Sequence, residues 1–130
     1  MKFLDGFTEQ SYALMRIFLG LFFVQHGTQK LLNFPAEFPY DLNAMSTAAG
    51  VIELVLGLTI ALGLLTRISA FISSGMSAVG YWMVHGMNDF FPLNNGGELI
   101  AIYCFVFLFI ACRGPGIWSL DSVIGKTEAT

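Results

Sequence analysis

Four long apolar stretches dominate this sequence and restrict what it can fold into. They cover residues 12–32, 44–65, 68–87 and 93–112. An α-helix rises about 1.5 Å per residue, so about 20 residues cross the ~30 Å hydrocarbon core of a bilayer. Backbone groups in lipid must find partners within the protein, which favours helices for separate spans of this length. The sequence therefore predicts an all-α polytopic membrane protein, a bundle of four transmembrane helices in contact with lipid.

The composition supports this fold class. Of the 130 residues, 55% are apolar and only 12% are charged, whereas soluble domains carry about 25% charged residues. The length predicts one domain over residues 1–130. The net charge is −3, and the few basic residues are scattered, which argues against a nucleic-acid partner.

The basic residues predict an orientation. A four-span topology places five of them on one side: Lys2, Arg16, Arg67, Arg113 and Lys126. Lys30 falls near the other side. The positive-inside rule then predicts a multi-pass inner-membrane protein of a bacterial cell, with both termini in the cytoplasm. Loops 33–43 and 88–96 lie on the outer side in this topology.

Five ionisable side chains lie inside or at the edge of the apolar stretches. They are His26, Lys30, Glu53, His85 and Glu98. A charged group at the centre of a bilayer costs roughly 2.5–3.5 kcal/mol on the insertion scale. Each predicted helix contributes at least one of the five, and all fall in the outer half. We therefore predict a polar pocket there, facing the inside of the bundle.

Each of these residues also has a purely structural interpretation. Glu98 follows Asn95 by three positions, the spacing of a capping box that opens a helix. Lys30 has a stem long enough to bring its ammonium to the interface. Glu53 is the deepest carboxylate and predicts a buried partner, either Lys30 or one of the two histidines. The histidines themselves would suit hydrogen bonds between helices.

Small residues predict how the helices approach each other. Gly20 and Gly27 lie two turns apart in the first stretch. The second stretch carries one stripe made of Gly50, Glu53, Gly57 and Ala61. Small residues let helices pack closely in lipid, so the stripe predicts that Glu53 points at a neighbouring helix.

The two cysteines do not form a site. Cys104 and Cys112 are eight residues apart, roughly 12 Å along a helix, which is too far for a disulfide. The sequence has no C-x-x-C motif and no glycine-rich nucleotide-binding motif.

Several short motifs together resemble the DoxX family of small four-span membrane proteins. The motifs are His26-Gly27-Thr28-Gln29-Lys30, Gly50-Val51-Ile52-Glu53, Leu64-Leu65-Thr66-Arg67, Asn95-Gly96-Gly97-Glu98, Gly114-Pro115-Gly116 and Ser119-Leu120-Asp121. The family is named after a subunit of a terminal quinol oxidase, and other members are linked to quinone-dependent or redox-stress systems. The resemblance implies membership of a membrane redox system and no specific reaction.

Three functional hypotheses follow. The first is an accessory subunit of a quinone-linked oxidoreductase, with the quinone head bound by the pocket of His26, Lys30, Glu53, His85 and Glu98. The second is a non-catalytic membrane scaffold or assembly partner, either for another subunit or for copies of itself, in which the polar residues lock the helices. The third is a metal site within the bundle, although the Glu-x-x-His pairs of di-iron bundles are absent.

Overall fold

The protein is built from helices. A computed structural model describes residues 1–125, and Lys126, one of the basic residues used for the predicted orientation, lies outside them. Within these residues every regular element is helical: a 3₁₀ turn at Lys2–Phe7, α1 (Thr8–Leu32), α2 (Ala44–Leu62), α3 (Thr66–Gly80), a π-helical turn at Tyr81–Gly86, α4 (Pro92–Asn95), α5 (Glu98–Arg113) and α6 (Leu120–Val123). The all-α prediction is confirmed. The chain divides into two compact units, residues 1–66 with the segment from Pro115 onward, and residues 67–114.

In the first unit, α1 and α2 pack along a seam of glycines. A Cβ built on Gly20 would lie 2.5 Å from the backbone nitrogen of Ala61 and 2.7 Å from the carbonyl oxygen of Gly57. A Cβ on Gly27 would lie 2.6 Å from the carbonyl oxygen of Gly50. Real side chains do not approach backbone atoms so closely. The predicted role of these small residues in close helix packing is confirmed.

Local signals set both ends of α2. Asn43 and Ser46 form a reciprocal capping box at its start. The helix ends at Leu62, and Gly63 adopts the left-handed conformation with φ 68°. The helix therefore ends three residues before the end of the predicted span 44–65, because the backbone reverses at Gly63, where glycine accepts a positive φ without strain.

In the second unit, α3 and α5 contact through side chain to backbone hydrogen bonds. Ser74 Oγ donates to the carbonyl oxygen of Cys104 at 2.7 Å, and Arg67 Nη1 donates to those of Ala111 at 2.9 Å and Cys112 at 2.6 Å. Both cysteines are free thiols, in agreement with the sequence analysis.

The start of the fourth predicted span differs from the prediction. Residues 92–95 form the separate helix α4, and Gly96 turns the chain with φ 71° before α5 begins at Glu98. The proposed capping box is absent, because Asn95 Oδ1 accepts from the backbone nitrogen of Gly97 at 2.7 Å instead. Two consecutive glycines thus separate a polar turn from the apolar helix.

Only α2, among the helices of residues 1–125, is by itself both long and apolar enough to cross a bilayer. The helix α5 has 16 residues and at about 1.5 Å per residue is shorter than a ~30 Å hydrocarbon core, whereas α3 has 15 residues and continues directly into the π-helical turn at Tyr81–Gly86. The helix α1 has 25 residues but carries several polar side chains. By length and composition, one described helix meets the requirements of a membrane span, and the four-span arrangement stays a prediction.

Candidate functional site

An ion pair between α1 and α2 is the centre of the candidate site. Lys30 Nζ lies 2.7 Å from Oε2 and 2.9 Å from Oε1 of Glu53. The two side chains are 16% and 10% exposed. Glu53 lies on the face of α2 that carries Gly50 and Gly57 and packs against α1. The prediction that Glu53 points at a neighbouring helix is confirmed, and its partner is Lys30 rather than a histidine.

His26 lies on α1 one turn before Lys30 and is half-buried. Residues four positions apart share one face of a helix, so the imidazole and the ammonium are displayed by the same side of α1. This places an aromatic acid–base group next to a charged donor, which is a useful combination for a ligand with a carbonyl acceptor.

The other two predicted residues belong to the second unit. His85 lies in the π-helical turn, one residue before its end, and its Nδ1 lies 2.9 Å from the carbonyl oxygen of Asn95. The Asn95 side chain donates to the Tyr81 hydroxyl at 3.0 Å and to the carbonyl oxygen of Asp89 at 2.9 Å. Asn95 therefore joins α4 to the π-helical turn and to Asp89, a role that the sequence analysis did not predict.

Glu98 occupies the first turn of α5 and is exposed. A carboxylate at this position interacts favourably with the positive end of the helix dipole. Glu98 is exposed to solvent like the loop carboxylate Glu37, so its exposure does not indicate a special role. His26, Lys30 and Glu53 thus belong to one unit, whereas His85 and Glu98 belong to the other, and a single pocket formed by all five residues stays a prediction.

Metal ligation finds little geometric support. Over the described part of the chain, no group of three or more His, Cys, Asp or Glu side chains is placed to hold a metal ion. A structural or catalytic zinc site takes three or four such ligands. Both oxygens of the Glu53 carboxylate contact the Lys30 ammonium rather than a metal ion.

Arg16 is the most important residue whose role the sequence analysis missed. The sequence analysis places Arg16 on the cytoplasmic side, at the start of the first span. In the structure α1 already begins at Thr8, and the Arg16 side chain is completely buried. Its guanidinium donates to the carbonyl oxygens of Ile60 at 2.7 Å, Ala61 at 2.8 Å and Trp118 at 2.7 Å. Arg16 thus joins α1 to the last turn of α2 and to the segment that follows residue 114.

Asp121 closes the same end of the first unit. Its carboxylate accepts from the backbone nitrogens of Leu65 and Thr66, both at 3.0 Å, and from the Thr66 hydroxyl at 2.8 Å. Burial alone would raise the pKa of the Asp121 carboxyl, but these hydrogen bonds and the charge of Arg16 outweigh it, so that the pKa lies below its usual value. The negative charge lies at the positive end of α3 and joins residues of two motifs, 64–67 and 119–121.

The ion pair yields a stability prediction. Replacing Glu53 with leucine leaves Lys30 without its carboxylate, and an unpaired buried charge costs roughly 3–5 kcal/mol. We expect the free energy of unfolding in detergent to be much lower for Glu53→Leu than for Glu37→Leu. Glu37 is exposed in a loop, so its replacement should have little effect. The double variant Lys30→Met/Glu53→Leu should recover most of the loss. Equal stability of the two single variants would contradict the buried pair.

These features first define a class of protein. Over residues 1–125 they describe an all-α protein in which one helix is apolar and long enough to span a bilayer and a charged pair is enclosed between two helices. The chain belongs to the DoxX family, whose family profile matches residues 11–86. The motifs at residues 95–98 and 114–121 lie beyond that match.

The chain is also similar to relatives along nearly its whole length. An uncharacterized protein of Haemophilus influenzae is 38% identical over 133 residues, which cover 97% of this chain and 99% of the relative. A second uncharacterized protein of that species is 29% identical, with 92% and 87% covered. An uncharacterized membrane protein of Mycobacterium tuberculosis is 26% identical, with 89% and 82% covered. No solved structure matches the chain.

Proposed function

We propose that this DoxX-family membrane protein crosses the bacterial inner membrane four times and serves as a quinone-binding subunit of a redox system. Support for the four spans comes from exposed apolar side chains on every long helix. Examples are Leu14 and Phe18 on α1, Val51 and Val55 on α2, Phe71 and Ile72 on α3, and Phe105 and Phe109 on α5. Soluble monomers rarely expose apolar surface to this extent, whereas lipid would cover it.

The proposed topology predicts the location of both termini. The basic residues favour one side, so the N-terminus and the C-terminus should be cytoplasmic. A reporter that is active only in the cytoplasm, fused after Thr130, should give full signal, and a periplasmic reporter at the same position should give none. A fusion within residues 33–43 is the matched control and should show the opposite pattern. Periplasmic activity after Thr130 would contradict the four-span topology.

The observation that carries the functional proposal is the enclosed ion pair between Lys30 and Glu53. A quinone head is a flat ring with two carbonyl acceptors. The Lys30 ammonium has three donors, and His26 lies one turn away on the same helix. We propose that the ammonium or the imidazole donates to a quinone carbonyl, and that the Glu53 carboxylate accepts and passes on a proton.

The predicted site also includes two residues of the second unit, His85 and Glu98. His85 is half-buried in the π-helical turn, and π-helical turns are frequent at functional sites. That His85 and Glu98 also bind the head group stays a prediction, and in the proposed system another subunit or a second copy of the chain supplies the electrons.

Quinone binding to the purified protein in nanodiscs tests this function. We expect the wild type to bind a water-soluble short-chain quinone, and His26→Ala and His85→Ala to weaken binding by about tenfold, equivalent to about 1.4 kcal/mol, near the upper end of the range for one net hydrogen bond. Glu37→Leu is the control and should bind like the wild type. Absence of binding by the wild type, including when its native partner is present, would refute the proposal.

A scaffold role is the second candidate, and one observation favours it. The Lys30 ammonium contacts both oxygens of Glu53, so the pair is satisfied within the chain and joins two helices without any ligand. The double variant Lys30→Met/Glu53→Leu separates the two functions. A scaffold would still support the activity of its partner after this exchange, whereas a quinone-binding subunit would not.

A further inference from the structure

The loop between α1 and α2 covers the ion pair with one aromatic residue. We call residues 33–43 the Phe38 loop. Every residue of this loop is exposed except Phe38, which is half-buried. The centre of the Phe38 ring lies 5.6 Å from Lys30 Nζ, within the ~6 Å reach of a cation–π contact. A loop that is otherwise solvated thus places one ring over the charged centre of the candidate site.

The ends of the Phe38 loop are bonded to the last turn of α1 and to the capping box of α2, and two hydrogen bonds hold the segment between them. The Gln29 side chain donates to the carbonyl oxygen of Glu37 at 3.2 Å, and the backbone nitrogen of Phe38 donates to Asn33 Oδ1 at 3.0 Å. The Phe38 ring also meets the Tyr40 ring edge-on at 5.6 Å. The loop has no helix or strand of its own. Its position over the pair therefore depends on the ring contact and on a small number of hydrogen bonds.

We propose that Phe38 is the cover of the Lys30–Glu53 site and that movement of the Phe38 loop opens the site to a head group. The ring occupies one approach to the ammonium, so a carbonyl acceptor arriving from that side must displace it. The ring also shields the ion pair from water, which strengthens the attraction between the two charges. This inference rests on the proposed function for the identity of the ligand, while the cover itself is measurable without any ligand.

Lysine reactivity provides the test, because the chain has only three lysines: Lys2, Lys30 and Lys126. The purified full chain in nanodiscs is treated with a water-soluble acetylating reagent, and the rate at each lysine is read by peptide mass spectrometry, with Lys2 as the internal reference. We expect Phe38→Ala to raise the rate at Lys30 by about fivefold, the factor equivalent to a cation–π contact of about 1 kcal/mol. The rate at Lys2 should not change.

Phe34→Ala is the matched control. Phe34 is the same residue type in the same loop, but it is 66% exposed. Its replacement should leave the rate at Lys30 at the wild-type value, and Phe38→Leu should give an intermediate rate because it keeps apolar bulk without an aromatic face. An unchanged Lys30 rate in Phe38→Ala, or an equal increase in Phe34→Ala, would overturn the cover.

The two proposals fail separately in these experiments. If the wild type binds no quinone but Phe38→Ala exposes Lys30, the cover stands and the ligand assignment fails. If quinone binds but the Lys30 rate is unchanged in Phe38→Ala, the cover is wrong and the site stands. Unfolding temperatures of both phenylalanine variants should match that of the wild type, and a lowered unfolding temperature in Phe38→Ala alone would attribute the raised Lys30 rate to unfolding and refute the cover.

Discussion

Replacing Gly20 with alanine is expected to destabilise the protein severely. The added methyl group would meet backbone atoms of α2 rather than a mobile side chain, at 2.5 Å from the nitrogen of Ala61 and 2.7 Å from the oxygen of Gly57. Relief requires the two helices to separate along the seam. Overpacking of this kind costs roughly 1–3 kcal/mol, and occasionally more. Unfolding in detergent, followed by loss of helical signal on titration with a denaturant, should show this loss directly.

Gly75→Ala provides the matched control for the glycine seam. A Cβ on Gly75 meets nothing within 4 Å, and alanine is favoured over glycine in a helix by about 0.8–1.0 kcal/mol. We expect Gly75→Ala to keep or raise the stability of the protein. If both glycine variants behaved alike, close contact between α1 and α2 would not be the reason for the glycines.

Replacing Arg16 with methionine should have an effect of similar size. Methionine retains much of the apolar volume but removes the donors that reach the carbonyl oxygens of Ala61 and Trp118. The bond to Ala61 is buried, and a buried acceptor left without a donor costs about 1–3 kcal/mol. The carbonyl oxygen of Ile60 is less affected, because it also accepts from the backbone nitrogen of Gly63 at 3.1 Å. We expect low yields of folded protein and a lowered free energy of unfolding.

Arg67→Met is the appropriate comparison for Arg16→Met. Arg67 also donates to two carbonyl oxygens in the last turn of a helix, but its side chain is exposed. Water can replace the lost donor there, so the loss should be smaller than for Arg16. An equal loss in the two variants would show that burial of the guanidinium is not what makes Arg16 important.

The seam between α1 and α2 is the part of the fold that the sequence predicted best. Gly20, Gly27 and the stripe that includes Gly50 and Gly57 recur at helical spacing within apolar stretches, and small residues in such positions have few uses other than close packing. The enclosure of Glu53 followed from the same stripe. These predictions succeeded because they depend on the periodicity of a single helix, which is visible in the sequence.

The predictions that failed depend on how distant segments meet. Nothing near Arg16 in the sequence indicates that its acceptors are the end of α2 and the turn at residue 118, more than 100 positions away. Asn95 and Glu98 have the spacing of a capping box, yet the intervening glycines let the Asn95 amide bind the turn instead. Local spacing could not distinguish these alternatives, because both use the same residues.

Sequence reasoning was therefore sufficient for the helical class, the small-residue packing face and the need of Glu53 for a partner, since each arises from composition or from the repeat of one helix. The choice of Lys30 over His26 and His85 as that partner, the burial of Arg16 and the position of Phe38 over the ammonium required the folded protein. Each depends on the distance and rotation between segments that are far apart in the chain. Those quantities are set by backbone contact between α1 and α2 and by the return of residues 115–121 to the end of α2, and no local pattern encodes them.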